Sequence, residues 1–377
     1  MLKNAFKADT GVVITCRTSA MFKLIVIILS VLFTSCARPT HLGQQYLDGR
    51  FGKHVLHKVK KPKTDKPKDY AGFKEQLAQV QQSELGNAYE GLYTKVLAWH
   101  ADGGVPENLP HYGITVEQIG GADRYGNVLI TGYYSPVLTM SKQPTEKYMY
   151  PVHRKPDPED ADCDDKYPTR AEVYAGALQG KQLELGYSAS LLDIFLMEVQ
   201  GSGFVKFTDS DELVYFAYAG KNGHPYVSIG KVLIERNEIA KEDMSVQAIR
   251  AWAAQQDEAT LMELLTQNSS YVFFALQEKH DVLGTAKIPL LAYGAVAADR
   301  EYLPMGSVLL AEVPQIDETG NWTGEHILNL LTVLDTGGAI KGNHIDLYCG
   351  IGELAGAHAG YLKHYGRVWC LHADAGS

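Results

Sequence analysis

The stretch TVLDTGGAIKGNHIDLYCG, Thr332 to Gly350, constrains this chain more than any other. Two apolar runs flank a Gly-rich turn, and each carries an aspartate. Asp335 closes the first run, and the Gly337-Gly338 pair that follows permits a tight turn or close approach of the backbone to a ligand. Asp346 lies inside the second, between Ile345 and Leu347. In an extended strand those two neighbours face away from Asp346, and His344 shares its side. Asp is disfavoured in strands. A carboxyl there is partly desolvated, which raises its pKa and keeps it protonated near neutrality, the state a general acid needs. Asp335 has a plainer alternative role, capping backbone in a turn before Gly-Gly.

The surrounding pattern is mixed, mainly β with α segments. After Tyr271, five short runs (288–296, 307–313, 328–334, 344–348 and 367–371) separated by Gly-containing turns suit a small barrel. From Tyr70 to Ala101 apolar residues recur at helical spacing, predicting one or two amphipathic helices, and Gln247 to Gln267 predicts another. NVLITGYYSPVL, from Asn127 to Leu138, reads as a strand punctuated by Gly132 and Pro136. The 377 residues suggest two domains at roughly 100 to 200 residues each.

A net charge of -9 argues against a nucleic-acid partner, which requires clustered Lys and Arg. The one basic run, Lys53 to Lys68, has two prolines and no helical period, so it reads as a solvated tether with an option to touch anionic lipid. Met21 to Ser35 is a short secretory leader, with Met21 the natural start. Its apolar run of about ten residues is too short to span a bilayer, which takes roughly 20. FTSC, Phe33 to Cys36, resembles a bacterial lipobox, which implies an acylated Cys36 and, with Ala37 following, sorting to the outer membrane. Cys349 and Cys370 are placed either as a disulfide or as two buried thiols, with Cys163 free. No spacing resembles a zinc site and no cofactor is expected.

Longer motifs carry a family resemblance. YGAVAADREYLPMGSVLLAEVP (Tyr293 to Pro314) together with LDTGGAIKGNHIDLYCG resembles the three-aspartate domain of a double-psi β-barrel, the aspartates being Asp299, Asp335 and Asp346. ITGYYSPV (Ile130 to Val137), PTRAEVYAGAL (Pro168 to Leu178), FLMEVQGSGFV (Phe195 to Val205), YAGKNGHPYVSIGKVLI (Tyr218 to Ile234) and HAGYLKHYGRVWCL (His358 to Leu371) are similar to the membrane-bound lytic murein transglycosylase A family. That resemblance implies a barrel built from two separated segments (70–132 and 280–377), a second β domain inserted between them (133–279), a leader to Cys36, a basic linker over 37–69, and a glycan cleft between the domains. It implies peptidoglycan glycan strands as substrate, wall-synthesis proteins as further partners, and Asp346 as a single acid that later acts as base. Asp335 and Asp299 would support it. Tyr133 and Tyr134 are candidates for sugar contact or for packing. The Gln200-Gly201-Ser202-Gly203 segment offers sugar-binding groups or plain turn chemistry. Lys341 and His344 are candidates to tune Asp346. Three other readings compete: an aspartic protease from the lone Asp335-Thr336-Gly337 motif, a non-catalytic wall-binding lipoprotein, and a water-using glycoside hydrolase.

Overall fold

The computed structural model describes residues 56–121, 126–162, 166–241, 243–277 and 281–374. The leader, Cys36 and Cys163 lie outside the described residues. The first segment supplies β1 (Leu56–Val59), β2 (Lys68–Asp69), β3 (Ile114–Ile119) and β4 (Val128–Ser135). The middle supplies β5 (Val137–Ser141), β6 (Tyr150–His153), β7 (Glu184–Ser188), β8 (Gly203–Phe207), β9 (Leu213–Lys221) and β10 (Val272–Gln277). The last supplies β11 (Ala295–Ala297), β12 (Val308–Ile316), β13 (Trp322–Asp335), β14 (His344–Ile351), β15 (Lys363–Gly366) and β16 (Val368–Ala373).

The outer segments interleave in one 10-stranded sheet, ordered β1-β3-β16-β12-β13-β11-β14-β4-β15 with β2 on β13. The middle six strands form their own sheet, β10-β9-β8-β5-β7-β6. This is the barrel-plus-insert architecture that the resemblance implied. Two parallel pairings, β11 with β13 and β14 with β4, knit distant parts of the chain together. The antiparallel strand β12 is buried on both faces: Leu309, Ala311 and Val313 face the barrel interior, while Val308 and Leu310 face an outer layer. The helices Ala71–Gln81 and Glu90–Ala101 form that layer through Phe73, Leu77, Val80, Tyr93, Val96 and Trp99, all buried. Each such side chain is worth roughly 1.5–3 kcal/mol in transfer from water. Between them sits a third helix, Glu84–Ala88, so the predicted one or two helices are three.

The insert backs its sheet with helices. The helix Leu191–Gln200 is capped by the Ser190 hydroxyl, which accepts from the Asp193 amide, and it buries Ile194 and Met197 against the sheet and Leu192, Phe195 and Leu196 against other helices. The Gln247 to Gln267 pattern is broken into Val246–Ala253 and Glu258–Thr266, because Asp257 caps a new helix start through the Thr260 amide. Inside the insert core Arg170 and Glu198 form an ion pair at 2.7 Å, with side chains 1% and 2% exposed. The Arg170 guanidinium also donates to the carbonyls of Asn268 and Ser270, which closes the insert where its last strand leaves.

Two expectations are corrected. The run 288–296 is a strand only over Ala295–Ala297, because Tyr293 takes a left-handed φ of 58° and interrupts extended pairing. The basic run is not a free tether throughout. Leu56–Val59 pairs antiparallel with β3, and the Thr64 hydroxyl donates to the buried Glu312 carboxylate at 2.6 Å. Its backbone completes a sheet edge while His57 and Lys58 stay exposed, so charge on the side chains did not preclude a strand. Cys349 and Cys370 are both buried free thiols.

Candidate active site

The site grows from the register of four neighbouring strands. Ala297 on β11 pairs with Asp335 on β13 to one side and with Asp346 on β14 to the other. A register shift between Val296 and Ala297 skips Leu334 and brings Asp335 into line. Two strand spacings put the aspartate Cα atoms about 9–10 Å apart, with only the methyl of Ala297 between them. Asp346 in turn pairs with Thr131 on β4. As expected from alternation, Ile345 and Leu347 are buried in the barrel interior, and His344 and Asp346 share the other face.

Asp346 is half-buried at the cavity. Burial pushes its pKa from 3.8 up to about 7, the Thr131 hydrogen bond pulls it down, and the Asp335 charge pushes it up. The Thr131 hydroxyl donates to Asp346 Oδ1 at 2.6 Å and lies 2.8 Å from His344 Nε2. Burial drives His344 down to about 4, so the ring is neutral near pH 7. Asp335 is held from several directions. Its Oδ1 accepts from the Thr285 amide at 2.9 Å, the Thr285 hydroxyl at 2.7 Å and the Thr336 amide at 2.8 Å, while Oδ2 accepts from the Tyr133 hydroxyl at 3.1 Å.

A cavity of about 200 Å³ opens over these groups, lined by Thr131, Tyr133, Ala297, Asp335 and Asp346 from the barrel and by Val199 and Gln200 from the insert. The insert thus forms one wall and the barrel sheet the other. Behind β4 the helix Gly352–Tyr361 packs so closely that a Cβ on Gly132 would sit 2.8 Å from Ala359 Cα, so only glycine fits between Thr131 and Tyr133.

The remaining sequence candidates divide. Gln200 reaches the cavity, and its side-chain oxygen accepts from the Tyr134 amide at 3.0 Å. Gly201 ends the insert helix at φ 83°, and Gly203 leaves room for Met197, so both have turn and packing work of their own; Ser202 is buried. Tyr134 points away from Tyr133 and lines a second, larger cavity of about 710 Å³ with Asp193 and Arg250. Asp299 lies below the site. Burial raises its pKa, but the amides of Gly342 and Glu301 and the Lys341 ammonium hold it below the usual value. It ties down the loop between the two cavity aspartates, with Gly342 N–H donating at 3.0 Å. Lys341 lies 3.9 Å from Asp299 and is mostly exposed. Thr131, Thr285 and Ala297 escaped the sequence reading; nothing local in the sequence marks a threonine or an alanine as a neighbour of a distant aspartate.

Comparisons agree with this layout. A family model described as the MltA specific insert domain matches residues 129–275, and one described as the 3D domain matches residues 294–372. The membrane-bound lytic murein transglycosylase A of Vibrio cholerae serotype O1 is 49% identical over 345 residues, covering 91% of this chain and 92% of that protein. The enzyme of the same name from Escherichia coli K12 is 44% identical over 352 residues, with 93% and 95% covered. The crystal structure of E. coli MltA with bound chitohexaose matches at TM-score 0.81 and 45% identity, covering 89% of this chain and 99% of that one. A variant of the E. coli protein in an apo form matches at 0.67 over the same shares, so the arrangement here is nearer the sugar-bound one. Identity at this level along nearly the whole length shows that the chain belongs to the membrane-bound lytic murein transglycosylase A family.

Proposed function

We propose that this chain is a peptidoglycan lytic transglycosylase that breaks the β-1,4 bond between N-acetylmuramic acid and N-acetylglucosamine, using Asp346 as its single acid and then its base. The observation that carries the reading is a carboxyl whose pKa burial raises to about 7, facing a cavity beside a second carboxylate held in place by four donors. Protonated Asp346 donates to the oxygen leaving C1 of the muramic sugar. The resulting carboxylate then accepts the proton of that sugar's C6 hydroxyl, whose oxygen attacks C1 and closes a 1,6-anhydro ring. No water is consumed, and the nucleophile, already tethered to its target, acts at high effective concentration. Asp335 lies across Ala297 as a fixed negative charge that steadies the oxocarbenium-like transition state.

The same contacts hold Asp335 in place: three donors crowd Oδ1 and the Tyr133 hydroxyl donates to Oδ2. The bound chitohexaose of the E. coli relative supports an amino-sugar chain as the occupant of the cleft. The barrel domain supplies the chemistry, its first segment running to Ser135 at the end of β4 rather than stopping at 132, and the insert grips the strand through Gln200. The test is digestion of purified peptidoglycan with the soluble protein lacking Cys36, read by mass. Anhydro ends, lighter by one water, are expected; reducing ends overturn the reading.

Retention at the envelope follows from acyl chains on Cys36, with the enzyme on the periplasmic face of the outer membrane. The relatives are named as membrane-bound, and among the described residues no helix is long and apolar enough to cross a membrane. A Cys36→Ser protein is expected in the soluble fraction; membrane retention of that variant refutes the anchor.

A further inference from the structure

Two chain connections join the barrel to the insert, and Asp335 lies where they meet. The outgoing connection is β4, which carries Tyr133 and runs through Pro136 into β5. The returning one follows β10 and folds over 282–290 into a small hairpin. There the Lys287 amide donates to the Gly284 carbonyl at 2.9 Å, and the Leu290 amide donates to the Val282 carbonyl at 2.8 Å. Thr285 sits at its tip. Both connections reach the same carboxyl: Thr285 gives its amide (2.9 Å) and its hydroxyl (2.7 Å) to Oδ1, and Tyr133 gives its hydroxyl to Oδ2 at 3.1 Å. We propose that Thr285 is a positioning residue for Asp335, and that through it and Tyr133 the two connections together fix where the second carboxyl lies beside the acid. This rests on the assignment of Asp346 as the acid and of Asp335 as its fixed partner.

The hydrogens suffice for every bond at once. Thr285 has a single hydroxyl hydrogen, and its Oγ1 lies 2.7 Å from Asp335 Oδ1 and 2.9 Å from Thr336 Oγ1. With that hydrogen on Oδ1, Thr285 accepts the hydroxyl hydrogen of Thr336, so the chain runs from Thr336 through Thr285 to Asp335 and no group gives twice. The Thr336 amide is the third donor on Oδ1, at 2.8 Å. Thr285 itself is exposed, so the hairpin beneath must hold it. Val282, Ile288 and Leu290 are buried there. The Ala286 amide donates to the Leu334 carbonyl at 3.0 Å, and Gly284 is pressed so close to that carbonyl that a Cβ would run into it. The buried side chain of Gln76, from the helix Ala71–Gln81, brackets the way out: Nε2 donates to the Pro289 carbonyl at 2.9 Å and Oε1 accepts from the Leu291 amide at 2.7 Å. From the insert, the Tyr215 hydroxyl on β9 bonds Ser202 and the backbone of Leu283. Barrel and insert thus both fix the tip that touches Asp335. A fixed charge acts on a transition state only from the right place, and a shift of about 1 Å near the chemistry can cost about a hundredfold in rate.

The test is kcat and KM on soluble glycan fragments, read in a double-mutant cycle with Asp335. Thr285→Val keeps the shape and the backbone amide but removes the hydroxyl from the chain. Losing that bond to a charged group should lower kcat by about tenfold to a hundredfold, with KM held within about twofold because no substrate contact is lost. Thr285→Ser should restore kcat. In the Asp335→Asn background, where kcat is already low, Thr285→Val should cost less than about threefold more, since the two residues act through one contact. Thr336→Val, which removes only the donor to Thr285, should give a smaller loss of the same kind and carries the cycle if Thr285→Val does not fold. A normal kcat in a folded Thr285→Val protein, a loss confined to KM, a serine variant no better than valine, or an undiminished loss in the Asp335→Asn background overturns the proposal. Asp346→Asn is the control: if it still releases anhydro products, the assignment of the acid fails, whereas an inactive Asp346→Asn beside a normal Thr285→Val removes only the positioning residue.

Discussion

Replacing Asp346 by Asn should inactivate the enzyme and at the same time stabilise it, by an amount that depends on pH. In the folded chain burial raises this carboxyl from 3.8 to about 7. A folded pKa above the unfolded one means that folding favours the protonated form. The stability it contributes is fully present below about pH 4 and is lost as pH rises through 7. About three units at 1.36 kcal/mol each come to roughly 4 kcal/mol across that window. Asn keeps an oxygen for Thr131 and never ionises, so it escapes the loss. The variant and the parent should be within about 1 kcal/mol of each other at pH 4, and the variant ahead by roughly 3–5 kcal/mol at pH 8. Paired denaturant titrations at half-unit steps measure the gap, and titrating groups remote from Asp346 cancel in the difference. A gap that stays flat from pH 4 to 8 refutes the buried-acid argument. So does a gap that shrinks as pH rises.

Three further outcomes follow from contacts away from the acid. Glu198→Ala leaves Arg170 charged inside the insert core and should cost about 3–5 kcal/mol; a loss below about 1 kcal/mol in urea unfolding would mean that the pair contributes little. Gly132→Ala forces the helix Gly352–Tyr361 off β4, since the new methyl would meet Ala359 Cα at 2.8 Å; a cost of about 1–3 kcal/mol and a fall in kcat are expected, and an unchanged thermal midpoint would contradict the close approach. Ala297→Val fills the gap between the two carboxylates, so anhydro-product release should drop at least about tenfold with a stability change of at most about 1–3 kcal/mol. Full release from that variant would show that the sugar does not pass between them.

The strand position of Asp346 was legible in the sequence and its neighbours were not, for a physical reason. Asp346 announces itself locally, because alternation with Ile345 and Leu347 fixes its face and an aspartate mid-strand has little packing use. Thr131 is an ordinary β-branched strand residue whose role exists only once a strand 215 residues away is laid beside it. Ala297 matters for being small, which composition cannot reveal. The barrel was recognisable from motif content, while the true extent of its strands was not: β1 hides in a lysine-rich run, and the left-handed backbone at Tyr293 cuts short a run that reads as extended. Gly201-Ser202-Gly203 looked like a sugar site because turn residues and ligand-binding residues share a composition; here Gly201 is spent on ending a helix and Gly203 on clearing Met197.

A mechanism with one carboxylate asks more of the surrounding sheet than a mechanism with two. Where two carboxyls flank the bond, each can take one geometry for one task. In the proposed mechanism the same carboxyl meets the leaving group and then the C6 hydroxyl of the same sugar, so its side chain must keep its place between steps. β4 answers that demand over four consecutive residues: Thr131 bonds Asp346, Gly132 lets the backing helix press the strand into place, Tyr133 bonds Asp335, and the Tyr134 amide bonds Gln200 of the insert. After Pro136 the chain continues directly as β5 in the other sheet. The strand that positions both aspartates is therefore also the one that joins the catalytic barrel to the wall opposite, so the placement of the sugar and the placement of the acid rest on the same few backbone bonds.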